Sequence, residues 1–191
     1  VFSRANTVFM KGSLFDKIAR TETSQGIAAI TSKQECWELP GDAGNLVVLD
    51  RLQDPGNIGT IIRTAEAAGY EGIITVRGTA DVYSPKVVRA AAGAMLRMPF
   101  IHTADAEETM RLLEEMGKTI VATALDADTY YYDADLENNI ALVIGNEGNG
   151  ISEDFIRGSH LKIKIPMKGK TESLNAAVAA GILMYQSIKK G

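Results

Sequence analysis

The sequence predicts an α/β protein with a parallel sheet of about six strands and helices on both faces. Short strand-like runs alternate along the chain with segments whose apolar residues recur every three or four positions, and this alternation is typical of βαβ units. The last third shows it most clearly, because residues 140–144 and 161–165 are runs that stop at Gly145 and Pro166. The first of these runs is apolar throughout, which favours a strand buried on both faces.

The elements follow in order through residues 41–191, which we take as the main domain. Strands are predicted at residues 46–50, 72–76, 99–102, 119–124, 140–144 and 161–165, and helices at residues 57–69, 85–96, 105–116 and from 173 onward. Asn57 is the expected N-cap of the first of these helices, and Gly69 is its expected end. The loops at 145–150 and 166–172 leave the carboxyl ends of two strands, where open α/β sheets bind ligands.

Residues 1–40 carry too little regular structure to enclose a core of their own. A helix near residues 13–19 and a strand near residues 26–31 are predicted, and residues 40–45 form a turn-rich linker. The chain begins with Val1 rather than methionine. We therefore expect residues 1–40 to be the end of a further domain plus its linker, with an arm on the main domain as the alternative.

Composition narrows the possible functions. With 46% hydrophobic and 23% charged residues and no long apolar run, the chain has the composition of an ordinary globular protein. The single cysteine, Cys36, excludes an internal disulfide and fits a reducing cytoplasm. Two histidines and one cysteine are too few for a convincing metal site, so no metal is predicted. The net charge of −4 does not favour nucleic acid by itself.

Basic residues nevertheless cluster around the second loop, and they are either a phosphate-binding surface or solvated surface charges. The cluster consists of Arg157, Lys162, Lys164, Lys168 and Lys170. Familiar phosphate-binding motifs are absent. The first main-domain strand is followed by DPGNIG rather than the dinucleotide-binding G-x-G-x-x-G, and Lys164 stands where a Walker loop ending at Thr171 needs its first glycine.

Three motifs remain. Arg63 follows Asn57 by six residues, and Glu147 lies at the centre of the loop GNEGNG. The third motif combines Ile165, Pro166 and Met167 with Ser173, Leu174, Asn175 and Ala176. In this order, at the ends of these strands, the motifs resemble the SpoU (TrmH-type) family of RNA ribose 2′-O-methyltransferases of the SPOUT superfamily. The resemblance covers about residues 46–187.

The resemblance implies an architecture that periodicity does not show. It implies a deep trefoil knot at the carboxyl end, against the general rule that chains are unknotted, with S-adenosylmethionine bound in the knot. It implies a homodimer whose cofactor-site helices pack across the interface. Small residues on the last helix suit such packing, with core burial as the alternative: Ala176, Ala177, Ala179 and Ala180. It also makes residues 1–40 the remnant of a substrate-binding domain and residues 41–191 the catalytic domain.

The resemblance places the cofactor against three loops and the start of the last helix. The implied cofactor-binding residues are Thr123, Ala124, Leu125, Gly145, Asn146, Gly150, Ile165, Met167, Ser173, Leu174 and Ala176. Gly145 would permit close approach of the backbone to the ligand. For Ile165 and Leu174, a purely structural place in the core is the alternative.

Methyl transfer to a ribose hydroxyl requires a group that removes or polarises its proton, and no histidine lies in the three motifs. The resemblance implies these catalytic residues instead: Asn57, Arg63, Glu147, Ser173 and Asn175. Arg63 would act as a general base in a special environment, or bind the phosphate beside the target ribose and stabilise the developing alkoxide. A surface salt bridge with Glu66 is the alternative for Arg63.

The other members of the set also have alternative interpretations. Glu147 would orient Arg63 or a hydroxyl, or it would cap the helix that begins at Ser152. Ser173 would be the N-cap of the last helix, and Asn175 a residue of its first turn.

The function predicted from these motifs is S-adenosylmethionine-dependent transfer of a methyl group to a ribose 2′-hydroxyl in structured RNA. Ribosomal 23S RNA is the favoured substrate, because an additional amino-terminal domain of this kind often serves such targets. Transfer RNA, or a non-catalytic RNA-binding role of the same fold, is the alternative. Methylation of a base is disfavoured because the pairing of Asn57 with Arg63 belongs to the ribose-methylating branch.

Overall fold

The structure, a computed structural model, describes residues 6–19, 23–32, 39, 41–124 and 126–188. The chain divides into two compact units, Val1–Glu35 and Cys36–Gly191. In the described part of the first unit, helix α1 (Gly12–Ile18) buries no residue. The strand predicted near residues 26–31 does not form, and Ile27 and Ile30 are exposed. That prediction was wrong because a strand needs a paired neighbour, which no described residue provides.

The second unit alternates strands and helices. In chain order it contains β1 (Leu46–Asp50), α2 (Pro55–Ala67), β2 (Gly72–Val76), α3 (Pro85–Ala90), β3 (Phe100–Thr103), α4 (Ala106–Glu115), β4 (Thr119–Thr123), β5 (Thr129–Tyr130), β6 (Ile140–Gly145), α5 (Glu153–Gly158), β7 (Leu161–Lys164) and α6 (Ala176–Gln186). Single turns of 3₁₀ helix lie at Ala94–Leu96 and Tyr131–Asp133. The predicted α/β class is confirmed.

The strands form one sheet in the order β3-β2-β1-β6-β4-β7-β5, and every pair is parallel. All six predicted strands of the main domain are present, and the seventh, β5, is a two-residue strand at the edge. Asp50 and Gly145 end neighbouring strands in register. The loops after β1, β4, β6 and β7 therefore leave the same edge of the sheet. The predicted knot is not tested by this topology and stays a prediction.

The core lies on both faces of the sheet. Val47, Leu49 and Leu142 join the cluster that contains buried residues of α2, α3 and α6, while Val48 and Val143 join the cluster that contains buried residues of α4 and α5. Neighbouring residues of one strand thus face opposite layers, as the pleat requires. Burial on both faces explains why the central strands are apolar at every position except the terminal Asp50 and Gly145.

The predicted N-cap Asn57 and the alternative reading of Ser173 as an N-cap are both wrong. Asp54, not Asn57, is the N-cap of α2: its Oδ1 accepts from the Asn57 N–H at 2.8 Å, and Pro55 occupies the first helical position. Asn175, not Ser173, is the N-cap of α6, and its Oδ1 accepts from the N–H groups of Ala177 and Val178. The Asn57 side chain is therefore available for contacts that a capping residue could not make.

Two further expectations about helices need correction. The helix predicted over residues 85–96 ends at Ala90, and the chain then turns through Ala92 and Gly93, which have φ of 47° and 87°. Left-handed residues cannot continue a right-handed helix.

On α6, Ala177 and Ala180 are buried within the chain's own core, so they are not available for packing across a dimer interface.

Candidate functional site

The three motifs converge at the carboxyl edge of the sheet. The first lies at the start of α2, the second in the loop after β6, and the third in the segment from β7 to α6. Glu147 connects the first two. Its Oε1 accepts from the backbone N–H of Asp54 at 3.0 Å and from Nδ2 of Asn57 at 3.1 Å, and its Oε2 accepts from the backbone N–H of Gln53 at 3.1 Å. The carboxylate therefore holds the turn that begins α2.

These contacts keep Glu147 ionised. Partial burial raises its pKa, but the hydrogen bonds from Asn57 and from the backbone N–H groups of Glu147, Asp54 and Gln53 outweigh that effect, so its pKa lies below the ordinary value. A carboxylate that accepts several hydrogen bonds favours its charged form. Such a group is a weak base. Its hydrogen bonds are with Asn57 and the backbone, and in the described residues none is with Arg63 or with the helix at Ser152.

Asn57 continues the connection to the third motif. Its Oδ1 accepts from Nδ2 of Asn175 at 2.9 Å. The direction of this chain follows from its end, because Asn175 must present its oxygen to the first N–H groups of α6 and therefore its NH₂ to Asn57. Asn57 then presents its own NH₂ to Glu147. The path from Glu147 through Asn57 to Asn175, called the relay below, fixes both amide orientations.

The loop 146–151 is closed by its own backbone. The N–H of Asn146 donates to the carbonyl of Gly150 at 2.9 Å, and the N–H of Gly150 donates back at 2.8 Å. Asn146 also accepts from the N–H groups of Gly148 and Asn149 and donates to the carbonyl of Arg51. Asn146 and Gly150 thus shape the loop, whatever they bind.

Gly145 is required by this closure. A Cβ at Gly145 would lie 2.5 Å from the carbonyl oxygen of Gly150 and would overlap the backbone of Gly150 and Ile151. The expectation that glycine at this position permits close approach of the backbone to a ligand stays a prediction. In the structure, however, the group that approaches Gly145 is the chain's own loop.

Asp50 anchors the same loop and was missed from the sequence. It is 1% exposed at the end of β1, and its Oδ2 accepts from the backbone N–H of Ser152 at 2.6 Å. Its Oδ1 accepts from Nε of Arg51 at 2.9 Å. A buried carboxylate is rare unless it is paired, so an aspartate at the end of an otherwise apolar strand was the available signal. Asp54 and Gln53 were missed as well, because they contribute mainly backbone N–H groups to Glu147.

Arg63 does not face the relay within one chain. Six residues of α-helix separate it from Asn57, which places it about 9 Å along the axis and about 120° around it. Its side of α2 contacts α3, since a Cβ at Gly59 would overlap Ala90, and Glu66 pairs with Arg97 at 2.6 Å. The alternative interpretation of Arg63, a surface salt bridge with Glu66, is therefore wrong. Arg63 is exposed and has no hydrogen bond or ion pair within the described residues.

The remaining predicted residues line the open segments of the same edge. Thr123 and Ala124 are half-buried at the end of β4, where the N–H of Ala124 donates to the carbonyl of Ile163. Ile165 and Ala176 are half-buried against the core, Met167 is half-buried, Leu174 is 37% exposed and Ser173 is exposed without joining the relay. Leu125 lies outside the described residues.

These residues fit a ligand with an apolar ring and polar edges. In the part of the chain that the structure describes, the backbone N–H groups of residues 167–174 have no hydrogen-bond partner. Apolar side chains of the same segment, Ile165 and Leu174, lie beside them. Free backbone donors next to apolar side chains are what the edges and faces of an adenine require.

Two surface clefts lie away from this edge. One of about 410 Å³ is lined by residues such as Gly44, Glu71 and Asn139 near the amino ends of the strands, and one of about 580 Å³ lies between α4 and α5. Neither contains a predicted site residue. Among the described residues, no group of three His, Cys, Asp or Glu could hold a metal ion, and no described helix is long and apolar enough to cross a membrane.

Comparison with known proteins agrees with the three motifs. Residues 44–185 match the model of the SpoU rRNA Methylase family. The 23S rRNA (guanosine(2553)-2′-O)-methyltransferase RlmP of Bacillus subtilis is 36% identical over 171 residues, which cover 90% of this chain and 68% of that protein.

Two crystal structures are also similar. The rRNA methyltransferase from Sinorhizobium meliloti superposes with a TM-score of 0.78 at 33% identity, covering 93% of this chain and 69% of that one. An AdoMet-bound rRNA methyltransferase from the same organism gives a TM-score of 0.71 at 39% identity, covering 75% of this chain and 55% of that one. With its three motifs gathered at one edge of a parallel sheet, this chain belongs to the SpoU rRNA methylase family.

Proposed function

We propose that this chain transfers the methyl group of S-adenosylmethionine to a ribose 2′-hydroxyl of 23S ribosomal RNA. The coarser part of the statement, an RNA methyltransferase that uses S-adenosylmethionine, follows from membership of the family. The observation that carries the proposal is the relay, because one set of hydrogen bonds unites three motifs that lie up to 118 residues apart. The choice of ribosomal RNA as the target is supported by the similarity of this chain to ribosomal RNA methyltransferases.

The relay has a positioning role in this proposal. Bound S-adenosylmethionine supplies an activated methyl group on a sulfonium leaving group. Glu147 and Asn57 hold the turn at the start of α2, and Asn175 holds the start of α6, where the open segment 166–174 ends. The cofactor-lining segment and the RNA-facing helix are thereby kept in one fixed relation, as in-line transfer requires.

Arg63 is the proposed partner of the RNA. A guanidinium grips a phosphate with two parallel hydrogen bonds and can stabilise charge that develops on a neighbouring oxygen. Arg63 is exposed and unpaired among the described residues, which suits a role that begins when RNA arrives. Because it points about 120° away from Asn57 around α2, we propose that it serves the site of a second subunit.

The exposed side of α6 supports a homodimer. This helix is apolar around its whole circumference: Leu183 and Met184 are fully buried, while Val178 and Tyr185 on the other side are 52% and 53% exposed. A helix that is apolar all round is normally buried on all sides. We therefore assign the interface to Val178 and Tyr185, in place of the buried Ala177 and Ala180.

The proposal also covers the domains, the basic residues and the location of the protein. Residues 1–40 are proposed to be the remnant of a substrate-binding domain plus linker, and residues 41–191 the catalytic domain. Lys162, Lys168 and Lys170 are exposed and available for phosphates, whereas Arg157 pairs with Asp154 at 2.5 Å. The proposed location is the cytoplasm, where ribosomal RNA is found and where Cys36 would stay reduced.

The test is methyl transfer to total RNA from cells that lack the gene, followed by mapping of the ribose methylation. We expect a single 23S site that the purified protein restores. Arg63→Ala should lower the rate by at least about a hundredfold, and Arg63→Lys should restore it only in part, since lysine lacks the planar fork. Methylation of transfer RNA alone would contradict ribosomal RNA as the target. RNA binding without methyl transfer would contradict the proposed enzymatic activity.

A mixture of two inactive variants tests the shared site. Arg63→Ala subunits mixed with Asn175→Ala subunits should recover part of the activity, because one site of each mixed dimer then has both groups. No recovery in a mixture shown to contain mixed dimers would place Arg63 and the relay in the same chain.

A further inference from the structure

Three consecutive tyrosines form an exposed aromatic stack outside the site described above. Tyr130 and Tyr132 lie with ring centroids 5.4 Å apart and planes 14° from parallel, and Tyr131 meets Tyr132 edge-on at 5.1 Å. Tyr130 is 37% and Tyr132 50% exposed, whereas Tyr131 is turned toward the core. The rings of Tyr130 and Tyr132 thus present aromatic surface to solvent.

Charges of both signs lie around the stack. Lys164 on β7 places its Nζ 5.2 Å from the centre of the Tyr130 ring, and Lys162 is exposed on the same strand. Acidic side chains lie on the stack's own loop: Asp126, Asp128, Asp133 and Asp135. The carboxylates repel phosphates that lie along this loop, whereas the lysines of β7 attract them.

We propose that the stack of Tyr130 and Tyr132 binds an unpaired base of the RNA substrate, with Lys164 and Lys162 meeting the phosphate beside that base. This inference rests on the proposed RNA substrate. Stacking on exposed aromatic rings is the usual way in which proteins hold unpaired RNA bases, and it tolerates any base because every base has a flat face. The acidic flank selects a single projecting base over a track along the backbone.

The position of the stack can be compared with that of the site described above. Tyr130 belongs to β5 at the edge of the sheet, and Glu147 follows β6, three strand positions away. At about 4.8 Å per strand, the separation across the sheet is about 14 Å. Tyr130 also pairs in register with Lys164, one residue before Ile165 of the proposed cofactor-lining segment, so the stack lies beside that segment and away from Glu147. A base held there contributes to the choice of target.

The test compares Tyr132→Leu, which keeps an apolar side chain but removes the ring, with Tyr132→Phe, which keeps the ring. The probe is a short fluorescent single-stranded oligoadenylate, followed by anisotropy at several salt concentrations. We expect Tyr132→Leu to weaken binding about tenfold with an unchanged salt slope, and Tyr132→Phe to bind as the unaltered protein does. Replacing Lys162 and Lys164 by Met should instead flatten the salt slope, because fewer counterions are released.

Equal binding by Tyr132→Leu, or no binding of oligoadenylate by the unaltered protein, overturns the stacking site. Sedimentation tests whether a second copy of the protein covers the tyrosine stack instead of RNA. If the unaltered protein is a dimer and Tyr132→Leu is a monomer, the stacking site for RNA is also overturned. Methyl transfer to total RNA, measured on the unaltered protein, reports separately on the proposed function. If the unaltered protein methylates RNA but Tyr132→Leu binds the probe equally well, the stacking site is wrong and the proposed function stands.

Discussion

The two loops that meet at the site are built in opposite ways. The loop 146–151 satisfies its own backbone, with reciprocal bonds between Asn146 and Gly150 and an anchor on the buried Asp50. The segment 166–174 has no such bonds within the described residues until Asn175 caps α6. The first loop is therefore shaped before any ligand binds, and the second keeps its backbone donors for one. A rigid support beside an open segment fits a site that holds a cofactor and an RNA together.

The largest expected effect comes from opening the closed loop. Gly145→Ala should lower the free energy of unfolding by about 1–3 kcal/mol, because its Cβ overlaps backbone that cannot move away easily. Methyl transfer should fall about a hundredfold as Glu147 leaves its position. Thermal unfolding and initial rates measure both effects.

Gly148→Ala is the matched control in the same loop. A Cβ at Gly148 would meet only the Asn146 side-chain oxygen, at an ordinary 3.6 Å. Stability and activity should stay close to those of the unaltered protein. Equal losses in the two variants would show that the loop's closure at Gly145 is unimportant.

The next effect separates the two roles of Asn175, which caps α6 and donates to Asn57. Asn175→Ala loses both roles and should cost about 1 kcal/mol of stability. Asn175→Asp keeps a good capping oxygen but cannot donate, so it should unfold at nearly the original temperature while methyl transfer falls about tenfold. Full activity in the aspartate variant would mean that the bond to Asn57 is not needed.

A smaller effect is expected in the open segment. Leu174→Ala should weaken S-adenosylmethionine binding about fivefold, because its exposed side chain would cover one face of the adenine. Calorimetry measures the affinity, and unfolding temperature should hardly change. Leu96→Ala, at a residue 73% exposed in the 3₁₀ turn after α3, is the control and should leave the affinity as it is. A loss of affinity no larger than that of the control would show that Leu174 does not cover the adenine.

The smallest effect concerns pH. The pKa of Glu147 is held below its ordinary value by Asn57 and backbone N–H groups, against the opposing effect of burial. Its ionised contacts therefore contribute fully above the unfolded-state pKa of about 4.3 and are lost as the pH falls through the lower folded-state pKa. Glu147→Gln should unfold at a slightly lower temperature at neutral pH, and this difference should shrink in acid. A constant difference would show that the charge does not contribute.

The sequence by itself determined the fold class, six of the seven strands and the three motifs. The apolar runs that end at Asp50 and Gly145 already indicate a parallel sheet, because strands buried on both faces accept few residue types other than apolar ones. The seventh strand, β5, could not be predicted from Thr129 and Tyr130, since a two-residue strand exists only through its pairing with β7. The helix caps failed for a related reason: Asp54 and Asn57 are both good capping residues, and only the three-dimensional arrangement selects between them.

Only the tertiary structure decided how the motifs are connected. Spacing places Asn57, Glu147 and Asn175 near one edge, but the order of their hydrogen bonds depends on which amide faces α6. Spacing likewise indicates that Arg63 lies on α2, while the close packing of α2 against α3 at Gly59 and Ala90 is seen only in the folded chain. Residue types are fixed by local chemistry and burial, whereas contacts between distant segments exist only once the sheet has brought the strand ends together.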